Sequence, residues 1–208
     1  MIDLHSCQLC ARLVSFRLEQ KQYYPDYHCR PVKPFGDDDA HLLIVGLAPG
    51  LHGANASGRP FTGDASGELL FKTLYQFGFA NQAVSSHGDD ETRLIDCRIT
   101  NAVKCLPPQN KPNADEVNRC NAYLRDEIKH LPPTSIILAL GSLAHRATLK
   151  ALALPQTKHR FSHLAEHVLS PGLKLIDSYH CSRYNINTGR LTLPMFAAVF
   201  ARIRLLIQ

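Results

Sequence analysis

The chain has no low-complexity tract, no internal repeat and no apolar run approaching eighteen residues. Without such a run there is no candidate for a helix that spans a membrane. The first residues, Met1-Ile2-Asp3-Leu4-His5-Ser6-Cys7, lack the basic-then-apolar order of an export signal, so a cytoplasmic location and no membrane partner are expected. No Gly-Lys-Ser/Thr follows a glycine-rich stretch, and there is no clean G-x-G-x-x-G. Both absences disfavour a pocket that cradles nucleotide phosphates. Tryptophan is missing too, and that excludes nothing.

What remains is ordinary in bulk. The 208 residues are 45% hydrophobic, enough core for one domain over residues 1–208. A net charge of +5 leans toward a polyanionic partner without requiring nucleic acid. Seven cysteines in a chain expected in a reducing compartment argue for metal binding or free thiols and against a disulfide framework. Cys7 and Cys10 form a C-x2-C, and Cys105 and Cys120 stand about a hundred residues later with fourteen residues between them. Four thiolates from two distant segments suffice for a tetrahedral zinc or an iron–sulfur cluster. Cys29, Cys97 and Cys181 are then left as small buried hydrophobes.

Strand-like and helix-like segments alternate. His41 to Leu47, Leu94 to Val103, Ser135 to Leu140 and Leu173 to Tyr179 read as strands, the first and third as buried parallel ones. Glu68 to Gly78, Asn113 to His130, Leu143 to Leu152 and Leu193 to Ile207 read as helices, with Pro194 suited to a first turn. The alternation predicts an α/β fold with a parallel sheet covered on both faces. Ligands of such folds bind at the carboxyl ends of the strands. The unusual loops, after Leu47, Thr100 and Tyr179, fall there.

The first loop, Gly46 to Gly67, carries glycines at 46, 50, 53, 58, 63 and 67; such a loop lets backbone come close to a ligand. Phe61 within it is either a stacking platform for a base or a hydrophobic anchor. Asp64 precedes a helix, where an Asp is a natural N-cap; it is also a carboxylate at the mouth of the sheet. Asn101, at a strand end, can read a base edge or close a turn. Lys104 and Lys111 suit phosphates or solvent. His180 ends a strand on the same rim and is a catalytic candidate. His163 and His167 are four apart, but their segment lacks the Glu of H-E-x-x-H.

Taken together, Gly46-Leu47-Ala48-Pro49-Gly50, Gly58-Arg59-Pro60-Phe61-Thr62-Gly63-Asp64, Thr100-Asn101-Ala102-Val103-Lys104-Cys105, and His180 with Thr188-Gly189-Arg190-Leu191-Thr192 resemble the family 5 (type B) uracil-DNA glycosylases. Order and spacing match over nearly the whole chain. The sister family 4 usually carries Glu where Leu47 stands here. The resemblance implies a single-domain, three-layer α/β/α fold with a central four-stranded parallel sheet. It implies a [4Fe–4S] cluster on Cys7, Cys10, Cys105 and Cys120, and removal of uracil, with hypoxanthine and xanthine, from DNA. A monomer is expected. One departure stands out: the family usually has His-Pro-Ser where this chain has His180-Cys181-Ser182, and losing that Pro removes a backbone restraint.

The residues suit that chemistry. A base must leave the stack before it can be cut from its sugar. Phe61 would stack on the flipped ring, Asn101 read its edge, and Gly46, Ala48 and Gly63 line its approach. Asp64 would stabilise positive charge on the sugar and orient or deprotonate water; His180 would stabilise the departing base. Lys104, Arg183, Arg190 and Tyr184 are candidate DNA contacts. The rival is a non-catalytic iron–sulfur nucleic-acid-binding module, which does not need Asp64, Asn101 and His180 jointly.

Overall fold

The structure, a computed structural model, describes residues 3–207. In chain order come α1 (Ala11–Tyr23), β1 (Phe35–Gly36), β2 (Leu42–Gly46), α2 (Ala54–Ser57) and α3 (Ala65–Gln76). Then follow β3 (Cys97–Asn101), α4 (Ala114–Lys129), β4 (Ile136–Leu140) and α5 (Ser142–Ala151). The chain closes with β5 (Glu166–Ser170), β6 (Leu173–Ser178), α6 (Arg183–Asn187) and α7 (Leu193–Ile207).

The sheet has six strands in the order β1-β3-β2-β4-β6-β5. The inner four, β3, β2, β4 and β6, are all parallel, which matches the expected four-stranded core. The two outer strands correct that expectation: β1 pairs antiparallel with β3, and β5 with β6. β1 has two residues, too short for any periodicity. β5 alternates between exposed and half-buried residues, as an edge facing water does.

Every residue of β2 and β4 is buried, and alternate side chains go to opposite faces. Leu42 and Ile44 pack with Leu70, Phe71, Phe196 and Phe200, so α3 and α7 cover that face. Leu43 and Val45 pack with Leu124, Ala144 and Leu149, so α4 and α5 cover the other. Truncating one such core side chain to Ala costs about 2–5 kcal/mol. The result is the expected three-layer sandwich.

Local chemistry sets the element ends. The β3 segment, expected from Leu94, begins at Cys97 because Asp96 takes a left-handed φ of 50° and interrupts the run. α4 opens with a complete capping box, in which Asn113 Oδ1 accepts from the Glu116 amide and Glu116 Oε2 accepts from the Asn113 amide. α3 starts three residues earlier than the expected Glu68, since Asp64 caps it. Gly78 (φ 71°) follows its end.

The pair His163 and His167 does not converge. The His163 Nδ1 accepts from the Tyr179 amide at 3.3 Å. His167 instead lies 3.0 Å from Asp177 Oδ2, while His145 lies 2.8 Å from Asp177 Oδ1. This buried clasp ties β5 and α5 to β6. Among the described residues no helix is long and apolar enough to cross a membrane.

Candidate active site

A cavity of about 360 Å³ opens at the carboxyl ends of β2, β3 and β6, walled by Leu47, Ala48, Phe61, Asp64, Asn101 and His180. The three loops singled out in the sequence meet here. Four of the proposed base-handling residues, Phe61, Asp64, Asn101 and His180, therefore share one pocket.

Asp64 serves both of the roles its position suggested. Oδ1 accepts from the Gly67 amide at 2.9 Å and caps α3. Oδ2 is turned toward the Gly50–Gly53 turn: a Cβ built on Gly53 would lie 2.3 Å from it, and one on Gly50 would lie 3.3 Å away. The cap fixes the carboxyl, and the second oxygen is left for the cavity.

Asn101 is the last residue of β3. Its side chain is buried, and Oδ1 has no hydrogen-bond partner. Leaving such an oxygen unpaired costs about 1–3 kcal/mol, so the amide is held ready for something the cavity admits. Gly46, paired with Asn101 in the sheet, makes this approach possible. A Cβ there would sit 2.4 Å from Asn101 Oδ1 and 2.6 Å from the Phe61 ring.

Phe61 is mostly buried, and its backbone takes a left-handed φ of 54°. It belongs to the main core and also walls the cavity, so it both anchors the loop and presents a ring face. The neighbouring Arg59 holds it there. Its guanidinium bonds Ser85 at 3.0 Å and the Gly88 carbonyl at 2.6 Å, pairs with Asp90, and lies 4.4 Å over the Phe35 ring. The His180 ring stacks on Phe61 with centroids 6.0 Å apart and planes at 26°. Burial lowers the His180 pKa, and the Asp64 carboxylate only partly opposes this. The imidazole is thus neutral near pH 7, with an N–H to donate.

Cys181 and Ser182 are each held by a local contact. Cys181 is buried, its thiol donates to the Ser66 carbonyl at 3.5 Å, and burial pushes its pKa up to about 12. The Ser182 hydroxyl caps α6, accepting from the Asn185 amide at 3.4 Å.

Two assignments need correction. Lys104 is not a DNA contact: it is buried, its Nζ pairs with Glu127 at 2.6 Å, and it also bonds the Thr100 hydroxyl. Gly46 and Gly63 do not line the cavity; Gly46 makes room, and Gly63 turns the chain at φ 87°. Arg183, which opens α6, and Arg190, which follows that helix, are both exposed, Arg190 resting 4.8 Å from the Tyr179 ring centre. Residues that sequence reasoning missed also reach the cavity: Ser66, Ser182 and Asn110. Asn110 has φ 55°, a conformation Asn tolerates better than most residues.

The four cysteines form a second centre. Cys7, Cys10, Cys105 and Cys120 line one small apolar hollow with Leu13, and Tyr123 closes it. Arg12 binds Glu116 through two 2.7 Å hydrogen bonds and joins α1 to α4 beside the hollow. The Tyr123 hydroxyl is buried without a hydrogen-bond partner. Burial pushes Cys105 to about 12 and Cys120 to about 11, a cost that metal coordination removes. Four thiols converging on one hollow are a donor set that suits a metal ion or an iron–sulfur cluster.

Fold and rim together place the chain in a class. It belongs to the uracil-DNA glycosylase superfamily, whose family model matches residues 33–204. Within that superfamily it falls with the type-5 branch. It is 44% identical to the type-5 uracil-DNA glycosylase of Thermus thermophilus, over 94% of this chain and 91% of that one. It is 45% identical to the type-5 uracil-DNA glycosylase of Pyrobaculum aerophilum, over 96% of this chain and 88% of that one. The type-4 uracil-DNA glycosylase of Pyrobaculum aerophilum is 37% identical over 61% of this chain and 57% of its own length.

Proposed function

We propose that this protein is a DNA repair glycosylase that hydrolyses the N-glycosidic bond of uracil in DNA and leaves an abasic site, accepting hypoxanthine and xanthine as well. One observation carries this reading. An unpartnered amide (Asn101), a half-free carboxylate (Asp64) and a neutral imidazole stacked on an aromatic ring (His180 on Phe61) face one cavity sized for a base.

The flipped base stacks against Phe61 and is read by the Asn101 amide. As the bond breaks, positive charge grows on the sugar and negative charge on the base. Asp64 Oδ2 stabilises the sugar and orients the attacking water. The His180 N–H stabilises the base oxygen, and removing a donor of this kind typically lowers rate by ~10²–10³. Arg183, Arg190 and Tyr184 press toward the opened duplex. A [4Fe–4S] cluster on Cys7, Cys10, Cys105 and Cys120 would clamp the N-terminal segment to the loop that follows Asn101; this hydrolysis needs no electron transfer. The protein acts as a monomer in the cytoplasm.

The test is incubation with duplexes carrying uracil, hypoxanthine, xanthine or only normal pairs, followed by alkaline cleavage of abasic sites. Asp64→Asn keeps the cap and should abolish or sharply reduce release while DNA binding persists. Turnover near the parent level in that variant would remove Asp64 from its role. Binding without release in the parent protein would leave the non-catalytic module.

A further inference from the structure

A second cavity, of about 440 Å³, is walled by His5, Gln8, Arg17, Lys21, His28 and Arg30, and no carboxylate lines it. Three permanent positive charges and two imidazoles thus share one hollow. Their contacts are neutral: Lys21 donates to the Tyr27 carbonyl, and Arg30 donates to His5 Nε2 at 2.8 Å. The strain shows in His28. Burial lowers its pKa, the Pro31 carbonyl 3.3 Å from its Nε2 partly opposes this, and the nearby Arg30, His5 and Lys21 lower it further. Arg17 is over nine-tenths buried; one nitrogen donates to the Cys7 carbonyl at 3.0 Å, but Nε is buried with no partner. Part of its charge faces Cys105, whereas Lys21 and Arg30 have no acidic neighbour among the residues lining this cavity. The Asp3 carboxylate accepts from the His5 and Ser6 amides, but the lining itself gathers like charges with no carboxylate among them; such a cluster calls for an anion, and arginine with lysine favours phosphate.

The cavity is tied to the base pocket. The His28 amide donates to the Ala56 carbonyl at 3.0 Å and the Cys29 amide to the Asn55 carbonyl at 3.1 Å. Both carbonyls belong to α2, whose Ala54 lines the base cavity. One four-residue helix therefore separates the two hollows.

We propose that this cavity seats a phosphodiester of the DNA backbone, with Arg30 and Lys21 as its contacts and Arg17 beneath them. The inference rests on DNA being the substrate, as proposed above. Lys21→Glu, on the exposed face of α1, and Arg30→Gln are measured in the full-length protein. Affinity for uracil-containing and undamaged duplexes is followed across a salt series, with melting temperature and visible absorbance checking the fold. Each variant should bind both duplexes several-fold more weakly, with a salt slope shallower by about 0.9 for each phosphate it no longer neutralises. An unchanged affinity and slope in Lys21→Glu overturns the proposal. So does stabilisation by inorganic phosphate that needs Lys21 but is not displaced by DNA, which marks a free-anion site. If the parent releases no uracil yet the variants shift the slope, the glycosylase reading fails and the phosphate site stands.

Discussion

Gly53 and Asp64 approach each other as only glycine permits: a Cβ at position 53 would lie 2.3 Å from the outer carboxylate oxygen and 2.9 Å from its carbon. The turn thus sets where the free oxygen of Asp64 points, while the α3 amide holds the other. Gly53→Ala should displace that oxygen by a sizeable fraction of an ångström. A misplacement near 1 Å can lower rate about 100-fold. Single-turnover release of uracil should fall by that order, with a much smaller change in melting temperature. Equal losses of rate and stability would mean that the turn, and not the carboxylate, had failed.

Asp64→Ala and Asp64→Asn should separate the two roles of this side chain. Ala removes the cap and should cost about 1 kcal/mol of stability, whereas Asn caps almost as well as Asp. Both should lose turnover. Denaturant unfolding alongside the release assay distinguishes them.

Asn101→Ala should trade function against stability. It deletes a buried oxygen with no partner, whose burden is about 1–3 kcal/mol. The poorer packing offsets part of that, so stability should hold or rise while uracil release falls by about 10²-fold. Strong destabilisation would show that the amide is paired in the folded protein.

Acid should weaken the fold partly through His180. Its folded pKa is lowered by burial, so below pH ~6.5 the unfolded chain takes up the proton first. Stability then falls as pH drops from that point, by at most about 1.4 kcal/mol per pH unit from this group, and the loss ends once the folded imidazole also titrates. His28, His159 and His163 are shifted the same way and remain in a His180→Asn variant. The difference between the two stability–pH curves therefore isolates His180. Parallel curves would contradict a buried neutral ring.

On the proposed cluster, Cys105→Ser or Cys120→Ser should lose bound iron, acid-labile sulfide and broad visible absorbance, and melt well below the parent. Cys97→Ser, buried in the main core at the start of β3, should keep the colour. Iron retained in both ligand variants would move the cluster elsewhere.

Much of this architecture was legible because it rests on patterns the sequence states locally. The buried runs of β2 and β4, the helix opening at Asn113 and the span of α7 each depend on near neighbours. The edge strands were not legible: β1 has two residues, and β5 alternates weakly with polar positions. Asp64, Asn101 and His180 could be placed on one rim because parallel strands end together. The fate of Lys104 could not, since its partner Glu127 lies on α4 and only the packing of α4 against the sheet makes that a burial site. The same limit hid the Asp177 clasp, whose three members come from α5, β5 and β6.

The two outer strands have a consequence for how the protein behaves in a crowd. One edge of the sheet stops at a two-residue strand, and the other carries an irregular register between Val168 and Ser170. Short and bulged borders give an incoming extended chain little to zip onto. Many copies can thus crowd together without their sheets fusing into aggregates.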